Sequence, residues 1–130
     1  MFDKKRIKEI SIVSKAEKWA FPRTLNALKE AGVEYYDVEM SSGEIIYHGG
    51  GQSMKESGLA ALQHLPPIGK FDLKALKAAI LRHQVEKTPY AEMIKEMVRA
   101  GVARYRVDIL KRTCAYFGKQ AGEEYAETFP

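Results

Sequence analysis

The 130-residue chain has one cysteine, one tryptophan and no long run of apolar residues. A single cysteine cannot form an intramolecular disulfide, so nothing indicates an oxidising compartment, and we expect a cytoplasmic protein. Charges interrupt every apolar stretch of the first 21 residues, which argues against a secretory leader. No segment approaches the roughly 20 apolar residues that cross a bilayer, so the sequence predicts no membrane partner.

The sequence also lacks the common catalytic and cofactor motifs. It contains neither G-x-S-x-G nor a glycine-rich phosphate loop. The histidines, His48, His64 and His83, show no metal-ligand spacing with one another or with Cys114. We therefore assign no catalytic residue, no metal site and no cofactor.

Length and composition favour one domain over residues 1–130. The chain is 45% hydrophobic and 29% charged, a balance typical of folded globular proteins. Its formal net charge is only +4, and the lysines near two predicted helix starts are diluted by acidic residues without interleaved aromatics. We do not expect nucleic acid among its partners.

The second half of the chain resembles the first. Residues 2–49 align with residues 71–118 without a gap, and 13 of the 48 pairs are identical, whereas roughly one pair in 15 to 20 would match by chance. This similarity predicts an internal duplication. The predicted units are a first repeat at about 2–57, a linker at about 58–70 and a second repeat at about 71–130.

Each repeat begins with two predicted helices. Asp3 and Asp72 precede helical patterns, where a carboxylate can accept hydrogen bonds from first-turn N–H groups. The second helix of the second repeat has the clearest boundaries. Thr88 is its expected N-cap, Pro89 its first residue, and Gly101 its stop signal.

Alternation of apolar and polar residues follows each second helix and predicts an antiparallel hairpin. With Ser42–Gly43 as a two-residue turn, Val38 would lie opposite Tyr47, and the second repeat would have the equivalent register. Weaker alternation near residues 53–57 and 123–129 predicts a third strand in each repeat. The predicted fold class is α+β, built as two αα-ββ(β) units packed about a pseudo-twofold axis.

The outward positions of the two hairpins carry aromatic side chains and charges of opposite sign. These charges can pair and fix the register of the two units, or that of a homodimer. Alternatively, the surface between the repeats binds a small molecule or a partner strand. The candidate binding residues on these positions are Tyr35, Asp37, His48, Arg104, Arg106 and Phe117.

The string at residues 48–51, His-Gly-Gly-Gly, matches a motif that supplies oxyanion-hole amides in some lipases and esterases. The chain has no G-x-S-x-G partner for it and is short for an α/β-hydrolase. A glycine-rich turn after a strand explains the string equally simply. A small hydrolase built around His48 is the minor hypothesis, and it predicts a nucleophile within hydrogen-bond reach of that side chain.

Several short stretches are shared with a known group of proteins. They are Ala-Gly-Val at residues 31–33 and 100–102, Tyr36, Tyr105, Arg112, Tyr116, Gly118, and Glu-Thr-Phe-Pro at residues 127–130. In these the chain resembles a small bacterial and prophage family, YbcV-like, that is labelled phage envelope protein and is a domain of unknown function. The resemblance implies no activity and no catalytic residue. It adds Arg112 as a candidate contact, although turn solvation or a salt bridge to the Glu-rich tail also explains this residue.

Together, these observations favour an uncharacterised protein that binds a partner without catalysis. The partner hypotheses are an unidentified small molecule, another protein, and a second copy of the chain. A phage-associated structural component is the alternative, and it predicts ordered self-association.

Overall fold

The computed structural model describes residues 1–57 and 62–129. This part of the chain has two consecutive halves, each with two helices followed by three strands. The helices are α1 (Lys4–Ala16), α2 (Phe21–Glu30), α3 (Leu73–Glu86) and α4 (Tyr90–Arg99), and the strands are β1 (Tyr35–Glu39), β2 (Glu44–Gly49), β3 (Gln52–Glu56), β4 (Arg104–Asp108), β5 (Thr113–Phe117) and β6 (Glu124–Thr128). The predicted α+β class is confirmed, and both predicted third strands are present.

The six strands form one antiparallel sheet in the order β3-β2-β1-β4-β5-β6. Each half contributes a three-stranded meander, so the two first strands meet at the centre. There Asp37 of β1 lies opposite Arg106 of β4. The halves are therefore joined along one continuous ladder of backbone hydrogen bonds.

The two halves share backbone details at equivalent positions. Asp3 and Asp72 cap α1 and α3, each accepting a hydrogen bond at 3.0 Å from a backbone N–H three residues further on. Gly32 and Gly101 follow α2 and α4 with φ values of +97° and +95°. These recurrences agree with the predicted duplication, which remains an inference from the sequence.

One hydrophobic cluster joins all four helices to one face of the sheet, which we call the inner face. Val38 and Val107 of the central strands lie in this cluster and are fully buried. Leu62, in the predicted linker, is buried there too, and residues 63–70 form neither helix nor strand. The rest of that linker, residues 58–61, lies outside the described residues. Because these four helices share the inner face, none of the helices in residues 1–57 and 62–129 lies against the opposite face, which we call the outer face.

Both hairpin registers differ from the prediction by two residues. Val38 pairs with Ile45 rather than with Tyr47, because residues 40–43 form a four-residue loop and not a two-residue turn. The second half has an equivalent loop, in which Arg112 adopts a φ of +57°, a left-handed conformation that a glycine adopts in the first. Because side chains alternate with a period of two, this shift leaves each one on its predicted face.

Helix α4 begins one residue later than predicted. Pro89 is the N-cap, and no side-chain hydrogen bond caps the helix. The hydroxyl of Thr88, the predicted cap, instead lies 2.8 Å from Nδ1 of His83. The predicted stop is confirmed, since Gly101 follows the last turn with a positive φ.

Candidate functional site

Four of the predicted binding residues meet at the centre of the outer face. We call them the central cluster: Tyr35, Asp37, His48 and Arg106. Their placement follows from the strand register, which sets Asp37 opposite Arg106 and Tyr35 opposite His48. The structure thus brings together side chains from β1, β2 and β4.

Asp37 and Arg106 form a two-point ion pair. Nε and Nη2 of Arg106 donate to Oδ1 and Oδ2 of Asp37 at 2.6 and 3.0 Å. These hydrogen bonds raise the pKa of the Arg106 guanidinium, against a smaller opposite effect of burial. The Arg106 side chain is 42% exposed and that of Asp37 only 18%. The carboxylate is therefore covered, while part of the guanidinium faces solvent.

Tyr35 contacts side chains from both neighbouring strands. Its ring stacks on His48, with centroids 4.5 Å apart and planes inclined by 13°. Cζ of Arg106 lies 4.5 Å from the same Tyr35 centroid, in a cation–π contact. Nε2 of His48 lies 3.5 Å from Oδ2 of Asp37, and it is buried without a hydrogen-bond partner. Each member of the cluster thus holds at least one other in place.

Arg104 and Phe117 form a second group on the same face. Cζ of Arg104 lies 4.1 Å from the Phe117 centroid. Glu39 lies opposite Arg104 on β1. Burial raises the pKa of the Glu39 carboxyl, and the nearby Arg104 charge opposes this effect. Six of the seven predicted residues therefore lie on the outer face.

The seventh, Arg112, lies apart from the others, in the loop between β4 and β5. Its carbonyl oxygen accepts a hydrogen bond from the N–H of Phe129 at 2.9 Å, and its Cζ lies 5.4 Å from the Phe129 ring centroid. These two residues border a cavity of about 180 Å³ beside Phe21 and Leu25 of α2. Arg112 therefore belongs to a different surface from the central cluster.

Sequence reasoning missed the part of the outer face that β3 provides. Lys55 lies opposite Ile46 of β2, and its Nζ is 3.5 Å from Oε2 of Glu44. Ser53 lies opposite His48. The alternation of polar and apolar residues within Gln52–Glu56 could have indicated which side chains lie on this face. Five residues are too few, however, to establish a period of two.

Among the described residues, no nucleophile is hydrogen-bonded to His48. In the described part of the chain, no hydrogen bond joins His48 to Ser53, its neighbour on β3. The carboxylate of Asp37 already accepts two hydrogen bonds from Arg106. Gly50 and Gly51, with φ values of +55° and +77°, form the two-residue turn between β2 and β3. Two successive positive φ values are typical of type I′ hairpin turns, which explains the glycine run without an oxyanion hole.

Cys114 lies on the inner face, opposite Val107. Burial raises the pKa of its thiol to about 11. Because the thiolate is the nucleophile, we expect Cys114 to react with Ellman's reagent at pH 8 roughly tenfold or more slowly than a free cysteine. The measurement is the rate of thionitrobenzoate release from the native protein and from the urea-unfolded chain. Equal rates in the two states would contradict the shielding of this half-buried thiol.

Surface depressions lie elsewhere on the molecule. One of about 590 Å³ runs along residues 40–42 and 62–68, and another is the small cavity beside Arg112. Neither includes a member of the central cluster, which lies on open sheet surface.

Within residues 1–57 and 62–129, no helix has the length and apolar character needed to cross a bilayer. The same residues contain no group of three or more His, Cys, Asp or Glu side chains that could hold a metal ion.

Related proteins are themselves uncharacterised. The chain is 31% identical over 98 residues to uncharacterized protein Mb2035 of Mycobacterium bovis, and equally to uncharacterized proteins MT2067 and Rv2012 of two Mycobacterium tuberculosis strains. Each match covers 75% of this chain and 60% of the relative, so the chain spans only about 60% of the length of these relatives. None of them confirms the YbcV-like resemblance or the phage envelope label. Residues 9–128 match the family described as protein of unknown function (DUF1398). The chain therefore belongs to the DUF1398 family.

Proposed function

We propose that the protein acts by binding a macromolecular partner on the outer face of its sheet. The central cluster is the middle of this binding surface, and Arg104 and Phe117 extend it. The observation that carries the proposal is the two-point pair of Asp37 and Arg106, flanked by the stacked Tyr35 and His48, on a face that no helix covers. Fixing the register of the two halves accounts for the paired charges, whereas the aromatic rings stacked beside them support a binding surface.

The shape of the surface favours a broad partner over a small molecule. Small-molecule sites are concave and enclose most of their ligand, whereas the central cluster lies on an open sheet. Arginine and aromatic side chains are the residue types enriched at protein interfaces. Tyr35, Phe117 and the two partly exposed arginines of β4 fit that composition.

The proposal extends to the compartment and the domain organisation. A free Cys114 suits a reducing environment, and we place the protein in the cytoplasm. The halves act as one domain because their helices share a single core. The recurrence of capping residues and glycines at equivalent positions supports a duplicated ancestor.

Exchanging the charges of Asp37 and Arg106 tests the proposed function. We expect Asp37→Arg and Arg106→Asp each to lower the free energy of unfolding by about 1 kcal/mol, because each places like charges side by side on neighbouring strands. The double exchange restores an ion pair and recovers most of that loss. Binding behaves differently, since a partner that recognises the charges meets a reversed pattern in the double variant. We therefore expect both single variants to lose the partner, and the double variant to lose any partner other than a second copy, which would carry the same reversed pattern.

The measurements are urea denaturation for stability and native mass spectrometry of freshly purified protein for retained partners. Lys29→Glu, at an exposed position of α2 on the other side of the molecule, is the matched control and should leave both unchanged. If either single variant keeps its partner, or the double variant keeps a partner of different sequence, the pair is structural and the proposed function is wrong.

A further inference from the structure

We infer that the partner is a second copy of this chain, bound with its outer face against the outer face of the first. The inference rests on the proposed function, since it identifies the occupant of the same surface. It also fixes the orientation: the twofold axis of the dimer lies between the two sheets and runs parallel to the central strands. The pattern of charges and apolar side chains across the strands supports this orientation.

With this axis, β1 of one copy faces β4 of the other. The register of the sheet then sets Asp37 against the partner's Arg106, and Glu39 against the partner's Arg104. Each ion pair of one copy stacks on the reversed ion pair of the other. Oε2 of Glu39 is buried without a hydrogen-bond partner in the single chain, and a guanidinium arriving from the second copy supplies a donor beside it.

Apolar contacts flank the charged centre in the same orientation. Ile46 of β2 and Ala115 of β5 lie beside Asp37 and Arg106 in one row across the sheet. The rotation sets Ile46 against the partner's Ala115, a large apolar side chain against a small one. One side chain can therefore fill the space that the other leaves, as facing sheets require.

The other simple orientation is electrostatically unfavourable. An axis perpendicular to the strands sets β1 against β1 and β4 against β4. At the centre, Asp37 then faces the partner's Asp37, and Arg106 faces the partner's Arg106. Like charges buried opposite each other are destabilising. The charge pattern therefore selects one of the two orientations as well as allowing a second copy to bind.

The outer face is large enough for a specific dimer. Six strands at about 4.8 Å spacing and five residues at about 3.4 Å rise give a footprint of roughly 29 by 17 Å per copy. Two such faces bury roughly 1,000 Å² before the relief of their side chains is counted, which reaches the minimum for a specific interface. Sheets that pack face to face cross at about 30°, so the facing pairs near the axis match best.

Analytical ultracentrifugation of the full chain tests whether the dimer forms on this face. We expect the natural sequence to dimerise at micromolar to sub-millimolar concentration, and Ala115→Lys to raise the dissociation constant at least about 30-fold. Ala78→Lys, an identical change at an exposed position of α3, is the control and should leave the constant unchanged. Far-UV circular dichroism checks that both variants are folded.

Cross-linking tests the orientation. Ile46→Cys and Ala115→Cys are prepared separately, each with Cys114→Ser, then mixed and treated with a short bismaleimide, because facing sheets lie about 10 Å apart. We expect the main product to join one variant to the other. If Ile46→Cys joins mainly to itself, the axis runs across the strands and the inferred orientation is wrong.

The failures of the two proposals are distinguishable. A chain that stays monomeric at about 0.5 mM, well above the dissociation constants of ordinary specific dimers, overturns the inferred dimer. The proposed function survives that result if another protein is retained by the natural sequence and lost from Arg106→Asp. A dimer that is equally tight in Ala115→Lys lies elsewhere on the molecule, which also overturns the inference.

Discussion

Gly101→Ala lowers the free energy of unfolding by about 3 kcal/mol or more. Gly101 has a φ of +95°, and a Cβ added there would lie 2.3 Å from Cα and 2.4 Å from the backbone nitrogen of Phe71. Backbone atoms in the middle of the chain cannot move aside as the end of a side chain can. The substitution therefore combines a strained φ with a steric clash where the segment before α3 crosses the end of α4.

Gly122→Ala separates these two costs. Gly122 also has a positive φ, +86°, but a Cβ added there would have no atom within 4 Å. We expect this control to cost about 1 kcal/mol, the conformational term alone. Urea denaturation followed by the fluorescence of Trp19, the single tryptophan, measures both variants. If both variants lost the same free energy of unfolding, the close approach to Phe71 would make no contribution to stability.

The second large effect comes from the core. Ile7 of α1 and Leu76 of α3 occupy equivalent positions in the two halves, and both are fully buried. We expect Ile7→Ala and Leu76→Ala each to lower the free energy of unfolding by about 2–5 kcal/mol through lost burial and a residual cavity. Because one core spans both halves, each variant should still unfold in a single transition.

Leu81→Ala is the control for this pair. Leu81 is on α3 like Leu76 but is 60% exposed, so its truncation should change stability by no more than about 0.5 kcal/mol. Calorimetry and urea denaturation report the number of transitions. If Leu76→Ala produces a second, earlier transition that Ile7→Ala does not share, the halves are separate domains and the proposed domain organisation is wrong.

Local signals in the sequence predicted the elements and the faces of the strands. Asp3 and Asp72 mark helix starts, because a short carboxylate satisfies first-turn N–H groups. Gly32 and Gly101 mark helix ends, because the chain must pass through a positive φ there. Alternation along β1 and β4 indicated which side chains point away from the core. Each of these signals depends on a few neighbouring residues, so it can be interpreted without knowing the tertiary structure.

The hairpin register was outside the reach of such signals. Pairing Val38 with Tyr47 or with Ile45 buries the same side chains, since the two registers differ by one full period. The length of the loop decides between them, and the chain forms a four-residue loop in which Met40, buried at 4% exposure, lies outside the strand. A two-residue turn would have required Met40 to be part of β1.

The central cluster was predicted as a set of candidates, and pairing of opposite charges between the two halves was one of two alternatives, but the sequence did not determine which side chains would meet. Asp37 and Arg106 are 69 residues apart, and the sequence of neither strand indicates that these two residues are neighbours. Arg112 became a candidate through the family resemblance, but in the loop between β4 and β5 it lies against Phe129. Long-range pairing is a property of the whole sheet, so side-chain contacts across it are found only in three dimensions.

The order of the strands has a consequence for how the molecule reaches this structure. Within each half, every strand pairs with one that follows shortly after it in the chain, whereas β1 and β4 are separated by a helical hairpin, two strands and the intervening segment. Closing so long a loop costs entropy before any contact compensates for it. We therefore expect the two meanders to form before the central ladder, and the pairing of β1 with β4 to limit the rate at which the cooperative native state appears.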